Sequence, residues 1–94
     1  MPFALNHKQT SELFTCQLIN NYDFAYHGVK IWDQETQAKG EYASFLLQHG
    51  IDDLWNWSIC ELDENVVKMG NVKLNNNPSK RLFLTTEGKV QARI

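Results

Sequence analysis

Residues 54–62 read Leu54-Trp55-Asn56-Trp57-Ser58-Ile59-Cys60-Glu61-Leu62 and contain two of the three tryptophans. A buried tryptophan removes roughly 150–250 Å² of surface from water. At about 25 cal/mol per Å², that burial stabilises the folded state by roughly 4–6 kcal/mol. The net stability of a domain is only about 5–15 kcal/mol, so the elements that cover Trp55 and Trp57 should form the centre of the fold.

This segment is compatible with two secondary structures. As a strand, it places Trp55, Trp57 and Ile59 on one face, and such residues favour pleated surfaces. As a helix, it would begin at an Asp52 N-cap. The helical face would consist of Trp55, Ser58, Ile59, Leu62 and Val66. We predict the strand, because Asp63-Glu64-Asn65 is more typical of a hairpin loop than of a helix interior.

The clearest helical pattern lies just before this segment. Tyr42, Phe45, Leu46 and His49 follow the i, i+3, i+4, i+7 spacing of one helical face. A glycine at position 40 weakens the first turn, so we expect a regular helix over about residues 40–49. The glycine at position 50 suits the left-handed conformation that commonly ends a helix.

Alternating apolar residues predict further strands at 13–19, 22–32, 66–74, 81–85 and 90–94. We expect a tight turn at Asn20-Asn21, a β-bulge at Gly28 and a left-handed turn residue at Gly88. Residues 1–10 show no period and are expected to form a loosely ordered arm. The sequence therefore predicts one α+β domain over residues 1–94, with a mainly antiparallel twisted sheet of five to six short strands and one packed helix.

Charge is divided unevenly along the chain, although the total is only −2. Residues 1–65 carry ten carboxylates against three cations, a net charge of −7. Residues 66–94 carry six cations against one carboxylate, a net charge of +5. This asymmetry is the most unusual feature of the chain.

No arrangement typical of catalysis or metal binding is evident. The histidines and cysteines, which are His7, His27, His49, Cys16 and Cys60, lack the short spacings of metal sites. All five glycines are isolated, so no phosphate-binding loop is formed, and no nucleophile motif is present. We therefore expect no catalytic residues, no metal, no cofactor and no enzymatic activity.

Aromatic residues within the acidic part suggest a protein-binding patch, because aromatic side chains anchor interfaces and charges steer the encounter. The residues expected to contact the partner are Trp32, Trp55, Trp57, Asp63 and Glu64. This pattern predicts a small regulator, inhibitor or immunity-type protein that masks or bridges a partner protein. The same charge asymmetry also fits self-association into a homo-oligomer.

The basic C-terminal strands suggest an alternative function, the binding of single-stranded nucleic acid. Period-two alternation places several cations around one exposed ring, and such surfaces bind phosphates and stack bases. The residues involved would be Lys73, Lys80, Arg81, Phe83, Lys89 and Arg93. If the helix covers this face instead, Phe83 is buried and the surface is lost.

Two further observations bear on the location of the protein. No apolar run approaches the ~20 residues needed to cross a bilayer, and the first residues lack the pattern of a signal peptide. The two cysteines are fewer than a disulfide framework needs and fit buried thiols. We therefore expect a cytoplasmic protein that does not contact membranes.

Overall fold

The computed structural model describes residues 1–94 and contains seven antiparallel strands and two α-helices. The elements are β1 Phe3–His7, β2 Glu12–Leu13, β3 Thr15–Ile19, β4 Ala25–Val29, α1 Glu35–Gln48, β5 Trp57–Glu61, α2 Glu64–Leu74, β6 Arg81–Leu84 and β7 Val90–Arg93. A five-stranded sheet has the order β5-β1-β2-β6-β7, and β3 and β4 form a separate hairpin. The predicted α+β class with a mainly antiparallel sheet is confirmed.

Strand β1 occupies an inner position of the sheet, so the prediction of a loosely ordered arm over residues 1–10 is wrong. Ala4 pairs with Cys60 of β5, and Asn6 pairs with Leu13 of β2. Ala4 and its neighbour Leu5 are both fully buried. A strand that is covered on both faces shows no alternation of apolar and polar residues, which is why this strand was missed.

The segment 54–62 forms a strand over Trp57–Glu61, as predicted, but its first part differs. Leu54–Asn56 forms a single 3-10 turn that leads into β5. Trp57 is buried in the core, whereas Trp55 lies in the turn and is exposed. The expected common face of Trp55 and Trp57 is therefore not formed.

Helix α1 begins at Glu35, several residues earlier than expected, and ends as predicted. The Ile51 N–H donates to the Leu46 carbonyl at 3.0 Å, and the Gly50 N–H donates to Leu47 at 3.1 Å. Gly50 adopts a φ of 76°, which a residue with a side chain rarely adopts. These two bonds form the helix-terminating arrangement in which the chain folds back on its last turn.

Helix α2 is the largest difference from the sequence-based fold, because residues 66–74 were predicted to be a strand. The change of apolar parity near Gly70 reflects helical spacing, since Val67, Gly70 and Leu74 are the buried residues of the helix. The Asp63 carboxylate accepts a hydrogen bond from the Asn65 N–H at 2.7 Å. The expected hairpin loop at 63–65 is therefore the N-cap of a second helix.

Gly28 does not form the predicted bulge but pairs regularly with Cys16. A Cβ atom at this position would lie 2.7 Å from the ring of Tyr26 and 2.9 Å from Oδ1 of Asn71. At Gly70, a Cβ atom would lie 2.6 Å from Cδ2 of Leu82. The two glycines therefore allow α2 to approach β4 and β6 closely.

Ala4 and Leu5 are neighbours in β1, so their side chains point to opposite sides of the sheet. Ala4 clusters with buried residues of α2 and Leu5 with buried residues of α1, so the two helices cover opposite sides. We call the side that α2 covers the α2 face and the other side the α1 face. The cluster on the α2 face contains Ala4, Leu13, Val29, Leu62, Val67, Leu74, Leu82 and Val90. The cluster on the α1 face contains Leu5, Phe14, Trp32, Ala38, Leu46 and Trp57. Neither α1 nor its cluster extends over β6 and β7, where Gln91 and Arg93 are exposed on the α1 face.

Candidate binding surfaces

The five residues expected to contact a protein partner do not form one patch. Trp32 and Trp57 are 4% and 8% exposed and belong to the core, so neither presents a surface to a partner. Trp55 is 71% exposed in its 3-10 turn. Asp63 and Glu64 lie at the start of α2, where Asp63 serves as the N-cap. The expected patch is therefore reduced to Trp55 and two helix-terminal carboxylates.

The buried tryptophans pack edge-to-face against phenylalanines. Trp57 lies 5.6 Å from Phe14 and Trp32 lies 5.5 Å from Phe45, measured between ring centroids. The Trp32 indole N–H donates to Oε1 of Glu41 at 3.4 Å, whereas that of Trp57 has no acceptor. The Trp32 contacts join α1 to a residue that bridges to Phe3 of β1, and the Trp57 contact joins β5 to the residue between β2 and β3.

Three other exposed apolar residues lie at or beside the turn between β3 and β4, outside the set of residues expected to contact a partner. Ile19, Tyr22 and Phe24 are 69%, 80% and 69% exposed. We call these three residues the hairpin tip. The signal was present in the sequence, because a turn rich in asparagine there carries two aromatic residues rather than the usual small polar ones.

Side-chain hydrogen bonds fix the conformation of the hairpin tip. Oδ1 of Asn20 accepts from the N–H groups of Tyr22 at 2.8 Å and Phe24 at 3.1 Å. The Asn20 N–H in turn donates to the Phe24 carbonyl at 3.0 Å, and Asp23 takes a left-handed φ of 61°. The turn is therefore longer than the expected Asn20-Asn21 turn. It holds both aromatic side chains on an ordered backbone.

The residues expected to bind nucleic acid are divided between two places. Arg81, Phe83 and Arg93 share the part of the α1 face that α1 leaves open, together with Gln91. The Arg93 guanidinium lies 4.8 Å from the centroid of the Phe83 ring. Lys73 lies on α2, and Lys80 and Lys89 lie in loops. Lys80 lines a cleft together with Arg81, whereas Lys73 and Lys89 line a different one.

One ion pair connects the acidic and basic parts of the chain. Nε of Arg81 lies 3.4 Å from Oε2 of Glu12. Glu12 lies on β2, where its backbone is the register partner of Phe83 on β6. The other ion pair, Lys39 with Glu35, lies within the acidic part, where Nε2 of His7 also lies 4.0 Å from Oδ2 of Asp53. The opposite charges of the two parts are therefore largely not neutralised against each other.

The thiols and the remaining titratable groups form no reactive cluster. No group of three or more histidine, cysteine, aspartate and glutamate side chains is placed to hold a metal ion. Burial raises the pKa of the Cys16 thiol, an effect that Lys30 partly opposes. Burial likewise raises the pKa of Cys60, and a backbone hydrogen bond involving Ala4 partly opposes it. Both thiols are therefore poor nucleophiles at neutral pH.

Four open clefts are found on the surface, and two of them lie beside the β3–β4 hairpin and beside α2. A cleft of about 260 Å³ at the side of the β3–β4 hairpin is lined by residues that include Tyr26, His27 and Pro78. A cleft of about 330 Å³ lies between α2 and the β6–β7 turn, with Val66 and Met69 among its lining residues. A third cleft, of about 260 Å³, is lined by residues that include Glu12, His27, Lys80 and Arg81.

No protein family profile, curated protein or solved structure matches this chain. The longest helix, α1, has 14 residues, and neither α-helix has the length and apolar character needed to cross a membrane. The surfaces themselves are therefore the basis for a functional proposal.

Proposed function

We propose that this protein is a small non-enzymatic protein-binding module that masks or bridges a partner protein in the cytoplasm, as regulators, inhibitors and immunity-type proteins do. The hairpin tip is the observation that carries the proposal. Three large apolar side chains project from it on a backbone fixed by Asn20. Clustered exposed apolar groups commonly mark interaction sites.

The hairpin tip has the properties of an interface anchor. Tyrosine is enriched among the residues that contribute most binding energy, and it loses little conformational entropy on binding. Because the Asn20 hydrogen bonds already order the turn, little further ordering is required when a partner binds. We expect Tyr22 and Phe24 to enter an apolar socket on the partner.

The charge of the acidic part indicates the character of the partner surface. Asp23 lies between the two aromatic residues of the hairpin tip, and residues 1–65 have a net charge of −7. A basic rim around the socket would speed association and oppose the binding of acidic proteins. We therefore expect a partner with basic residues around its binding socket.

A site-specific photo-crosslinker tests this proposal directly. Placed at position 22 in cells that produce the protein, it should yield one discrete protein adduct, and Phe24→Ser should remove that adduct. The matched control places the crosslinker at Val72, an apolar position on α2 that is also largely exposed. Absence of an adduct at position 22, or the same adducts at both positions, would contradict the proposal.

A second candidate function, the binding of single-stranded nucleic acid, is favoured by the Arg93–Phe83 contact. The open part of the α1 face offers a half-buried ring beside two arginines, which suits base stacking and phosphate contacts. A labelled oligonucleotide should then bind in a salt-dependent manner, and Arg81→Glu with Arg93→Glu should abolish binding. Unchanged binding by this double variant would exclude the α1 face as the site.

A further inference from the structure

Strand β7 lies at one edge of the five-stranded sheet. The Thr85 N–H donates to the Lys89 carbonyl at 2.7 Å, so these two residues form a hydrogen-bonded pair. Along β6 and β7 the next pairs are Leu84 with Val90, Phe83 with Gln91, and Leu82 with Ala92. Because hydrogen-bonded pairs alternate with non-bonded pairs, Val90 and Ala92 direct their N–H and C=O groups away from β6. Such an edge is a template for pairing with another strand.

Helix α2 runs beside this edge and forms a groove with it. The groove has a volume of about 330 Å³, and Val66 and Met69 provide its apolar wall. Val90 of β7 also lines the groove. A strand added to β7 would direct alternate side chains to this side, so one apolar side chain would enter the groove while the backbone pairs with β7.

The surroundings of the edge are basic. Lys73 and Lys89 line the groove, and Arg93 lies at the end of β7. The Lys73 ammonium donates to the outward carbonyl of Val90 at 2.7 Å. The outward groups of Ala92 have no such protein partner. Lys73 therefore occupies the edge at Val90, whereas the edge at Ala92 is open.

Charge distinguishes the occupants that could pair with this edge. Antiparallel pairing with β7 of a second copy would bring Lys89 of one protomer close to Arg93 of the other, and like charges in opposed positions destabilise a sheet. An acidic strand would instead place carboxylates beside Lys73, Lys89 and Arg93. The charge complementarity therefore favours an acidic partner over self-association.

We propose that the open edge of β7 and the groove beside α2 bind an extended acidic segment of a partner protein as an added strand. Hydrogen bonds to Ala92 supply affinity, and the groove selects an apolar side chain. Lys73 and Lys89 select neighbouring carboxylates. This surface is separate from the hairpin tip, so the proposal does not depend on binding at the tip.

Selection of phage-displayed random decapeptides on the immobilised full-length protein tests the proposal. The enriched peptides should be acidic and should contain at least one apolar residue. Adding such a peptide should slow amide hydrogen exchange at Ala92. Ala92→Pro removes the outward N–H without removing a bond to β6, and it should weaken peptide binding at least about tenfold.

Charge variants provide a second test if Ala92→Pro does not fold. Lys89→Glu should weaken peptide binding several-fold, whereas Lys68→Glu, which changes the charge equally beside a different cleft, should not. Failure to enrich acidic peptides, or equal effects of the two lysine variants, would overturn the proposal. Loss of binding in Tyr22→Ser with Phe24→Ser would also overturn it, because the peptide would then occupy the hairpin tip.

Discussion

Oδ1 of Asn71 on α2 accepts a hydrogen bond from the backbone N–H of Val29 on β4 at 2.9 Å. Val29 is almost fully buried, so its N–H has no access to water. The contact is made beside residue 28, where only a glycine leaves room for the amide. A side chain of the second helix thus completes the hydrogen bonding of a strand in the other sheet.

We expect Asn71→Ala to lower the free energy of unfolding by about 1–3 kcal/mol, because it leaves the Val29 N–H buried without an acceptor. Asn65→Ala is the matched control, since the exposed Asn65 side chain on the same helix makes no hydrogen bond. Urea unfolding followed by tryptophan fluorescence measures both variants. Equal effects at the two positions would show that the contact adds nothing to stability.

The glycines of the two helices should respond oppositely to alanine. Gly70→Ala forces a methyl group against Leu82, and overpacking of this kind typically costs about 1–3 kcal/mol. At Gly40 a Cβ atom meets no neighbour, so alanine should stabilise α1 by up to about 1 kcal/mol. Thermal unfolding should therefore give a lower Tm for Gly70→Ala and a higher Tm for Gly40→Ala than for the unmodified protein. A higher Tm for Gly70→Ala would mean that α2 is not held closely against β6.

The two tryptophans of the segment 54–62 should differ strongly in their effect on stability. Trp57→Ala removes a core ring that packs on Phe14 and should cost about 3–5 kcal/mol, or abolish cooperative unfolding. Trp55→Ala changes an exposed residue and should alter the unfolding free energy by less than about 0.5 kcal/mol. Chemical unfolding curves distinguish these outcomes, and similar losses for both variants would contradict the fold.

Both thiols should react slowly with a thiol reagent in the folded protein. Burial raises the pKa of Cys16 and Cys60 above the ordinary thiol value, so less thiolate is present at pH 8 than in the unfolded chain. Because burial disfavours the thiolate, the folded state has its full stability at pH values below the thiol pKa of the unfolded chain. This contribution to the free energy of unfolding is lost as the pH rises through the thiol pKa of the folded protein. Labelling rates with and without urea check this, with Cys16→Ser and Cys60→Ser assigning each thiol. Faster labelling of the folded protein would show an activated thiol instead.

The sequence predicted those elements whose signal is local. Helix α1 was found from the spacing of Tyr42, Phe45 and Leu46, and its end from Gly50, because these residues act within one or two turns of their own position. Strand β5 was found from tryptophan and isoleucine, which favour pleated surfaces. Local chemistry was sufficient at these positions.

The elements that the sequence did not predict depend on contacts between distant residues. Strand β1 shows no alternation because α1 covers Leu5 while α2 covers Ala4. Helix α2 resembled a strand because it contains three valines, and its packing on the sheet overrides their strand preference. The exposure of Trp55 and the burial of Trp32 could likewise not be predicted from the sequence, since no local pattern shows which rings the helices cover.

The inner position of β1 has a consequence for synthesis of the chain. Its full-length partner, β5, begins at Trp57, more than fifty residues later. During translation Ala4 and Leu5 therefore cannot pair with β5 until residues 57–61 have been synthesised. Both strands of the β3–β4 hairpin are complete well before that point. We expect the nascent protein to display the hairpin tip early and to close its sheet late, so chaperones would encounter the N-terminal strand before any partner encounters the finished fold.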